Sequence, residues 1–118
     1  MNGPDSAEHQ MARHGPYVLQ FFGGGTGQPQ YTTAAQIVSP GSSFNFYTYC
    51  YITCATSAGV ANTSPIAIGA PGREVIVLPG STTPYEFKGL SPNTLSFKAV
   101  SGPTSTDIVT FVFIQGTP

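Results

Sequence analysis

Charged residues are scarce in this sequence, and they are unevenly distributed. Only 8% of the 118 residues are Asp, Glu, Lys or Arg, against about a quarter in average soluble proteins. The 59 residues between Arg13 and Arg73 contain none of them, and the net charge is −1. Binding to a nucleic-acid backbone requires several basic residues that neutralise phosphates. We therefore expect no nucleic-acid partner, and a surface with little charge to keep copies of the protein apart.

Long apolar runs are also absent. No segment of the sequence approaches the ~20 consecutive apolar residues that span a bilayer, so we expect no membrane association. Residues 1–16 are polar and lack the apolar centre of a secretory signal, which leads us to expect synthesis in the cytoplasm. The triplet Asn62-Thr63-Ser64 fits a glycosylation sequon, and without a signal we expect the match to be fortuitous.

Side chains that commonly carry catalysis or bind metals are few. Both histidines, His9 and His14, lie in the polar N-terminal segment, so a Ser-His-Asp arrangement would require that segment to fold into a site. The five acidic residues, none of which forms an obvious acid–base pair with another, are Asp5, Glu8, Glu74, Glu86 and Asp107. A zinc site needs four ligands, and the two cysteines have only the distant histidines to join them. We therefore predict a protein that is not an enzyme and holds no metal or cofactor.

Turn-forming residues divide the chain into short segments. The sequence contains 14 Gly and 11 Pro, and its Pro-Gly pairs favour type II turns. Apolar residues at helical spacing do not persist anywhere. Eight strand-like segments are predicted between the turns: Tyr17–Phe22, Tyr31–Val38, Phe44–Ala55, Pro65–Ala70, Arg73–Leu78, Tyr85–Lys88, Leu95–Val100 and Asp107–Gln115. This pattern predicts an all-β, antiparallel β-sandwich, jelly-roll-like, over residues 17–118, with an extended N-terminal arm over residues 1–16.

The segment from Phe44 to Cys54 alternates with the period of a β-strand. One face would carry Phe44, Phe46, Thr48, Cys50, Ile52 and Cys54, and the other Asn45, Tyr47, Tyr49, Tyr51 and Thr53. The first is predicted to face the core. The second is a stripe of three tyrosines, and tyrosine is enriched in protein–protein contacts. We identify Asn45, Tyr47, Tyr49 and Tyr51 as interface candidates; packing between strands on a covered sheet face and a platform for stacking sugar rings are the alternatives.

The two cysteines fall on the predicted core face of that strand. Four residues of regular strand separate them by about 13 Å, beyond the ~7 Å over which a disulfide can join two Cα atoms. We therefore predict that Cys50 and Cys54 are free, buried thiols.

The last predicted strand is apolar on both faces. Val109, Phe111 and Phe113 would lie on one face, and Ile108, Val112 and Ile114 on the other. Such a strand is either central beneath a covering loop or covered by another subunit. On the second interpretation Phe111 and Phe113 are further interface candidates.

Several of these features resemble the small all-β virion proteins of tailed bacteriophages, above all the head decoration or cement proteins. They are the Val-x-Pro-Gly turns before aromatic strands (Val38–Gly41 and Val77–Gly80), the segment Thr94–Val100, the closing strand Asp107–Gln115, and the polar arm ahead of a charge-poor β-domain. The resemblance implies a structural role on a capsid, often as oligomers that clamp the junctions between capsomers. It assigns no functional residue.

The function expected from this resemblance is that of a non-enzymatic capsid decoration subunit located in the virion. Its expected partners are the major capsid protein, other virion subunits and further copies of itself. A tail, connector or spike subunit is one alternative. A carbohydrate-binding β-sandwich module is the alternative of another class, although the sequence has no Trp and no acidic residue near residues 45–53.

Overall fold

The computed structural model describes residues 17–24, 30–31, 35–37, 49–88 and 94–114. These residues form eight strands: β1 (Tyr17–Phe22), β2 (Ala35–Gln36), β3 (Tyr49–Cys54), β4 (Ile66–Ala70), β5 (Arg73–Leu78), β6 (Ser81–Lys88), β7 (Ser96–Ala99) and β8 (Ile108–Ile114). The predicted arm over residues 1–16 and the first half of the predicted strand Phe44–Ala55 lie outside the described residues. Strand β6 begins at Ser81, four residues before the predicted start.

The strands form two antiparallel sheets. Sheet A has the order β1-β8-β3-β6, and sheet B has the order β2-β7-β4-β5. Consecutive strands alternate between the sheets, except for the hairpin formed by β4 and β5 within sheet B. Eight strands wound in this order form a jelly roll, which confirms the predicted fold class.

A phenylalanine of sheet B joins the two layers. The Phe97 ring, in β7, lies 4.6 Å from the Phe21 ring and 5.1 Å from the Phe111 ring, both in sheet A. The core around these rings consists of buried side chains of both sheets, including Cys50, Ile52, Cys54, Ile66, Ile68, Leu78, Val109 and Phe113, together with Tyr31 and Ile37, which lie outside the strands. The apolar core therefore lies between the sheets, as in other β-sandwiches.

The described part of the tyrosine-containing strand has the predicted faces. In β3, Cys50, Ile52 and Cys54 are fully buried, whereas the residues between them are partly exposed. Both cysteines are free, as predicted. Burial raises the pKa of the Cys50 and Cys54 thiols from 9 to about 12, because a thiolate loses its hydration in an apolar environment.

These thiols are expected to resist alkylation in the native protein. A pKa near 12 lowers the thiolate fraction at neutral pH about a thousandfold relative to an ordinary thiol. A maleimide or iodoacetamide time course should leave Cys50 and Cys54 unlabelled in buffer, and should label both in denaturant without added reductant. Rapid native labelling, or labelling that requires a reductant, would contradict the buried free state of the thiols.

The hairpin between β4 and β5 turns at a Pro-Gly pair. Ala70 pairs with Arg73, which leaves Pro71 and Gly72 as the two turn residues. Gly72 has a φ of 78°, close to the value that a type II turn requires at its third residue. The expectation from the Pro-Gly pair is confirmed at this turn.

A buried carboxylate closes one end of the sandwich. Asp107, just before β8, is completely inaccessible to solvent. Its Oδ1 accepts hydrogen bonds from Thr63 N (3.1 Å) and Thr104 Oγ1 (3.0 Å). Its Oδ2 accepts from Thr63 Oγ1 (2.7 Å), Ser64 N (3.2 Å) and Thr104 N (3.3 Å). One side chain thus ties the loop before β4 to the loop before β8.

The neighbouring residue Asn62 reinforces this connection. Its side-chain Nδ2 donates to Ile108 O (2.8 Å), and its Oδ1 accepts from Ile108 N (3.1 Å). The side-chain amide of Asn62 therefore exchanges two hydrogen bonds with the backbone of Ile108, as a residue of an adjacent antiparallel strand would. Asn62 is buried, and its place in the sequon has a structural explanation that does not involve a glycan.

Substituting Asp107 with Asn should destabilise the fold. In either orientation the amide NH₂ would face at least one backbone N–H that now binds the carboxylate. We therefore expect a loss of about 2–4 kcal/mol in the free energy of unfolding, measured in urea. Glu86→Gln is the control, because Glu86 is exposed. Equal stability of the Asp107→Asn variant and the wild type would contradict a structural role for the carboxylate.

The same pair of proteins should show a defined pH dependence. Burial by itself would raise the pKa of Asp107, but hydrogen bonds from Thr63 and Thr104 outweigh it and hold the pKa below its usual value. A lowered pKa means that the folded state prefers the ionised form, so this stabilisation is present above about pH 4 and lost as pH falls through the folded-state pKa. The stability difference between wild type and Asp107→Asn should therefore be constant near neutral pH and narrow in acid.

Candidate functional site

The candidate site is the outer face of sheet A, which points away from the core. Strand register places its side chains in rows across adjacent strands. One row runs through Val18, Val112 and Tyr51, and the next runs through Gln20, Thr110 and Thr53. The rows divide the face into an apolar half and a hydroxyl-rich half.

The apolar half consists of side chains from β1, β8 and β3, and we call it the tyrosine face: Val18, Tyr49, Tyr51, Val112 and Ile114. Val18 is 52% exposed, and the other four are partly exposed. An antiparallel sheet with one free face normally places polar side chains there. The tyrosine face departs from that rule because its own side chains are aliphatic or aromatic. The charged side chains beside it belong to the edge strand β6.

The two tyrosines are ordered by their neighbours. Their rings stack with centroids 6.4 Å apart and an angle of 23° between the planes. Lys88 Nζ lies 5.7 Å from the centre of the Tyr49 ring, in a cation–π contact. The Tyr51 hydroxyl donates to Glu86 Oε2 (3.1 Å), and this hydrogen bond is the main reason that the pKa of Tyr51 is raised. Both rings are thus held in place on the surface.

The residues that the sequence predicts as interface candidates lie in different parts of the structure. Tyr49 and Tyr51 lie together on the outer face, whereas Asn45 and Tyr47 lie outside the described residues. Phe111 and Phe113 are fully buried in the core of this chain, so their selection as interface candidates is corrected. The sequence pattern could not distinguish the two apolar faces of β8, and it is Val112 and Ile114 that point outward.

The hydroxyl-rich half forms an open trough of about 460 Å³ at the other end of sheet A. We call it the hydroxyl trough; its lining includes Gln20, Phe22, Thr53, Ser57, Thr82 and Thr110. Four strands contribute to it, together with the turn that follows β3. Sequence reasoning missed it because single Thr and Gln residues on separate strands become neighbours only through strand pairing.

A second apolar patch lies at the edge of sheet B. Val75 and Val77 of the edge strand β5 are 76% and 54% exposed. Ile76 lies in the row of the core residues Ile68 and Phe97, but at the edge of the sheet it is still 46% exposed. Edge strands usually carry charges, prolines or covering loops that prevent association with other chains. Strand β6, one of the two edge strands of sheet A, follows that rule with Pro84, Glu86 and Lys88.

The acidic residue Glu74 serves structural contacts within sheet B. Glu74 Oε2 accepts from Gly72 N and from Ser96 Oγ, and Oε1 lies 3.9 Å from Lys98 Nζ. The hydrogen bond from Ser96 is the main cause that lowers the pKa of Glu74. Across the described ranges, no group of three or more His, Cys, Asp or Glu side chains is placed to hold a metal ion.

Comparisons with known protein families, with curated proteins and with solved structures find no match to this chain. Within the part of the chain that the structure describes, no helix has the length and apolar character needed to cross a membrane.

Proposed function

We propose that this protein is a non-enzymatic structural subunit of a virion, of the capsid decoration type. It would stabilise the particle through contacts with the major capsid protein and with its own copies. The observation that carries the proposal is the tyrosine face, an ordered aromatic and aliphatic surface on the outer side of sheet A.

The tyrosine face is suited to contact with another protein because its apolar side chains remain exposed to water and its charged neighbours lie at one edge. Val18, Val112 and Ile114 do not point into the core between the sheets, so the part of their apolar surface that stays exposed gains nothing from folding of the monomer alone. Covering it with another protein would contribute about 25 cal/mol per Å² of apolar area buried. The charged side chains that contact the face, Glu86 and Lys88, both belong to the edge strand β6, so a partner that covers the face must pair them or leave them hydrated at its rim.

The exposed edge strand supports the same conclusion. A strand with Val75, Ile76 and Val77 in solvent is expected to associate with another chain through its edge or its side chains. Two apolar patches on different sheets fit a subunit with more than one neighbour, as in an assembled shell.

The fold is compatible with this proposal but does not carry it. Jelly rolls occur in viral capsid proteins and also in lectins and cupins, so the function must be argued from the surfaces.

The double substitution Tyr49→Ser/Tyr51→Ser tests the proposal. The variant should fold, because both rings lie outside the core, and its self-association in sedimentation velocity should weaken about tenfold or more, since interface tyrosines commonly contribute 1–2 kcal/mol or more each. Binding to capsids of the same virus should weaken in parallel.

Val100→Ser is the matched control, because Val100 is 53% exposed and lies outside the tyrosine face. Two outcomes would contradict the proposal. Loss of folding in the tyrosine variant would assign the rings to the monomer's own stability, and unchanged association would show that the face is not an interface.

Mass spectrometry of purified virions distinguishes a decoration subunit from a tail, connector or spike subunit. A decoration protein occupies many equivalent sites on a shell, so we expect a copy number comparable with that of the major capsid protein. A copy number lower by one or more orders of magnitude would favour the tail, connector or spike alternative.

A further inference from the structure

We propose that the hydroxyl trough is a binding site for neutral oligosaccharides. The proposal rests on the trough and is independent of the tyrosine face, so either can fail without the other. It would give the protein an adhesive function in addition to assembly.

The size of the trough suits a small ligand. Its volume of about 460 Å³ lies within the ~300–1,000 Å³ typical of small-molecule sites. It is open along the sheet, which would allow a linear sugar chain to pass through it with one or two rings in contact.

The chemistry of the lining selects a neutral, hydroxyl-bearing ligand. The polar residues around the trough are all threonine, serine or glutamine, and none of the lining residues is charged. Phosphates, nucleotides and carboxylates would find no counter-charge there, and burying them without one is costly. Hydroxyl and amide groups both donate and accept hydrogen bonds, as sugar hydroxyls do.

Several of these groups are free to bind a ligand. The hydroxyls of Thr53, Ser57 and Thr82 line the trough and donate no hydrogen bond to another described residue. Thr110 Oγ1 accepts from Gln20 Nε2 (3.3 Å), which leaves the Thr110 hydroxyl proton and the Gln20 oxygen for a ligand.

The spacing of the groups is regular. Gln20, Thr110 and Thr53 form one row across β1, β8 and β3, and adjacent strands lie about 4.8 Å apart. Polar groups at that interval can reach different hydroxyls of one sugar ring. In the next row Phe22 pairs with Ile108 and lines the trough with an apolar surface, against which the C–H face of a sugar can pack.

One wall of the trough is preformed. In the turn after β3, Thr56 N donates to Val60 O (2.7 Å), Gly59 N donates to Thr56 O (2.9 Å) and Val60 N donates to Thr56 Oγ1 (3.3 Å). The positive φ of Gly59, 78°, permits this tight conformation. A ligand would therefore meet Ser57 in a turn that needs no further ordering, which lowers the entropic cost of binding.

The wild-type protein is first tested for binding to an array of neutral and acidic oligosaccharides. Its affinity for a neutral sugar that it binds on the array is then measured by calorimetry. Thr53→Val and Thr82→Val each remove one hydroxyl and keep the side-chain shape. Each should weaken binding about tenfold, because a hydrogen bond of this kind contributes roughly 1 kcal/mol or somewhat more. Thermal melts should show that both variants keep the wild-type fold.

Thr83→Val is the matched control. Thr83 is exposed on the same strand as Thr82, it does not line the trough, and only its backbone is engaged, by Ser81. Its substitution should leave sugar affinity unchanged. Three results would overturn the proposal: retention of no neutral sugar, undiminished binding by both trough variants, or loss of binding only in Tyr49→Ser/Tyr51→Ser, which would place the sugar on the tyrosine face.

Discussion

The rest of the structure depends on the packing of two sheets around the Phe97 ring. That ring belongs to sheet B and contacts Phe21 and Phe111 of sheet A, so it fixes which face of β1 and of β8 points inward. Because side chains alternate along a strand, this choice also fixes the outer face. The tyrosine face and the hydroxyl trough therefore both lie on the side of sheet A that points away from sheet B.

Polar side chains at one end of the sandwich hold its connecting loops together. A jelly roll leaves long connections between its sheets, and their backbone groups need hydrogen-bond partners. Asp107 and Asn62 supply them by binding backbone N–H and C=O groups of other segments. In a chain with so few charges, one of the five acidic residues is thus used to hold loops together inside the protein.

The scarcity of charge has opposite consequences at the two halves of the outer face. On the tyrosine face it leaves an apolar surface whose flanking charges, Glu86 and Lys88, lie on one edge strand, so most of that surface can be covered by another protein without desolvating an ion. In the hydroxyl trough it leaves neutral donors and acceptors, which favour a neutral ligand. The low content of charged residues therefore underlies both proposals.

The sequence by itself determined the all-β fold, the approximate positions of most strands and the faces of the described part of β3, because turn residues and period-two alternation are local properties; it did not determine the short β2, which spans only Ala35–Gln36 of the predicted Tyr31–Val38, or the early start of β6. It also determined that Cys50 and Cys54 face the core without pairing. Only the tertiary structure decided that Phe111 and Phe113 point inward and Val112 and Ile114 outward, since both faces of β8 are apolar and the choice depends on where sheet B packs. The hydroxyl trough and the role of Asp107 were likewise decided by pairing between residues distant in sequence, such as Gln20 with Thr110 and Thr63 with Asp107, which no local pattern specifies.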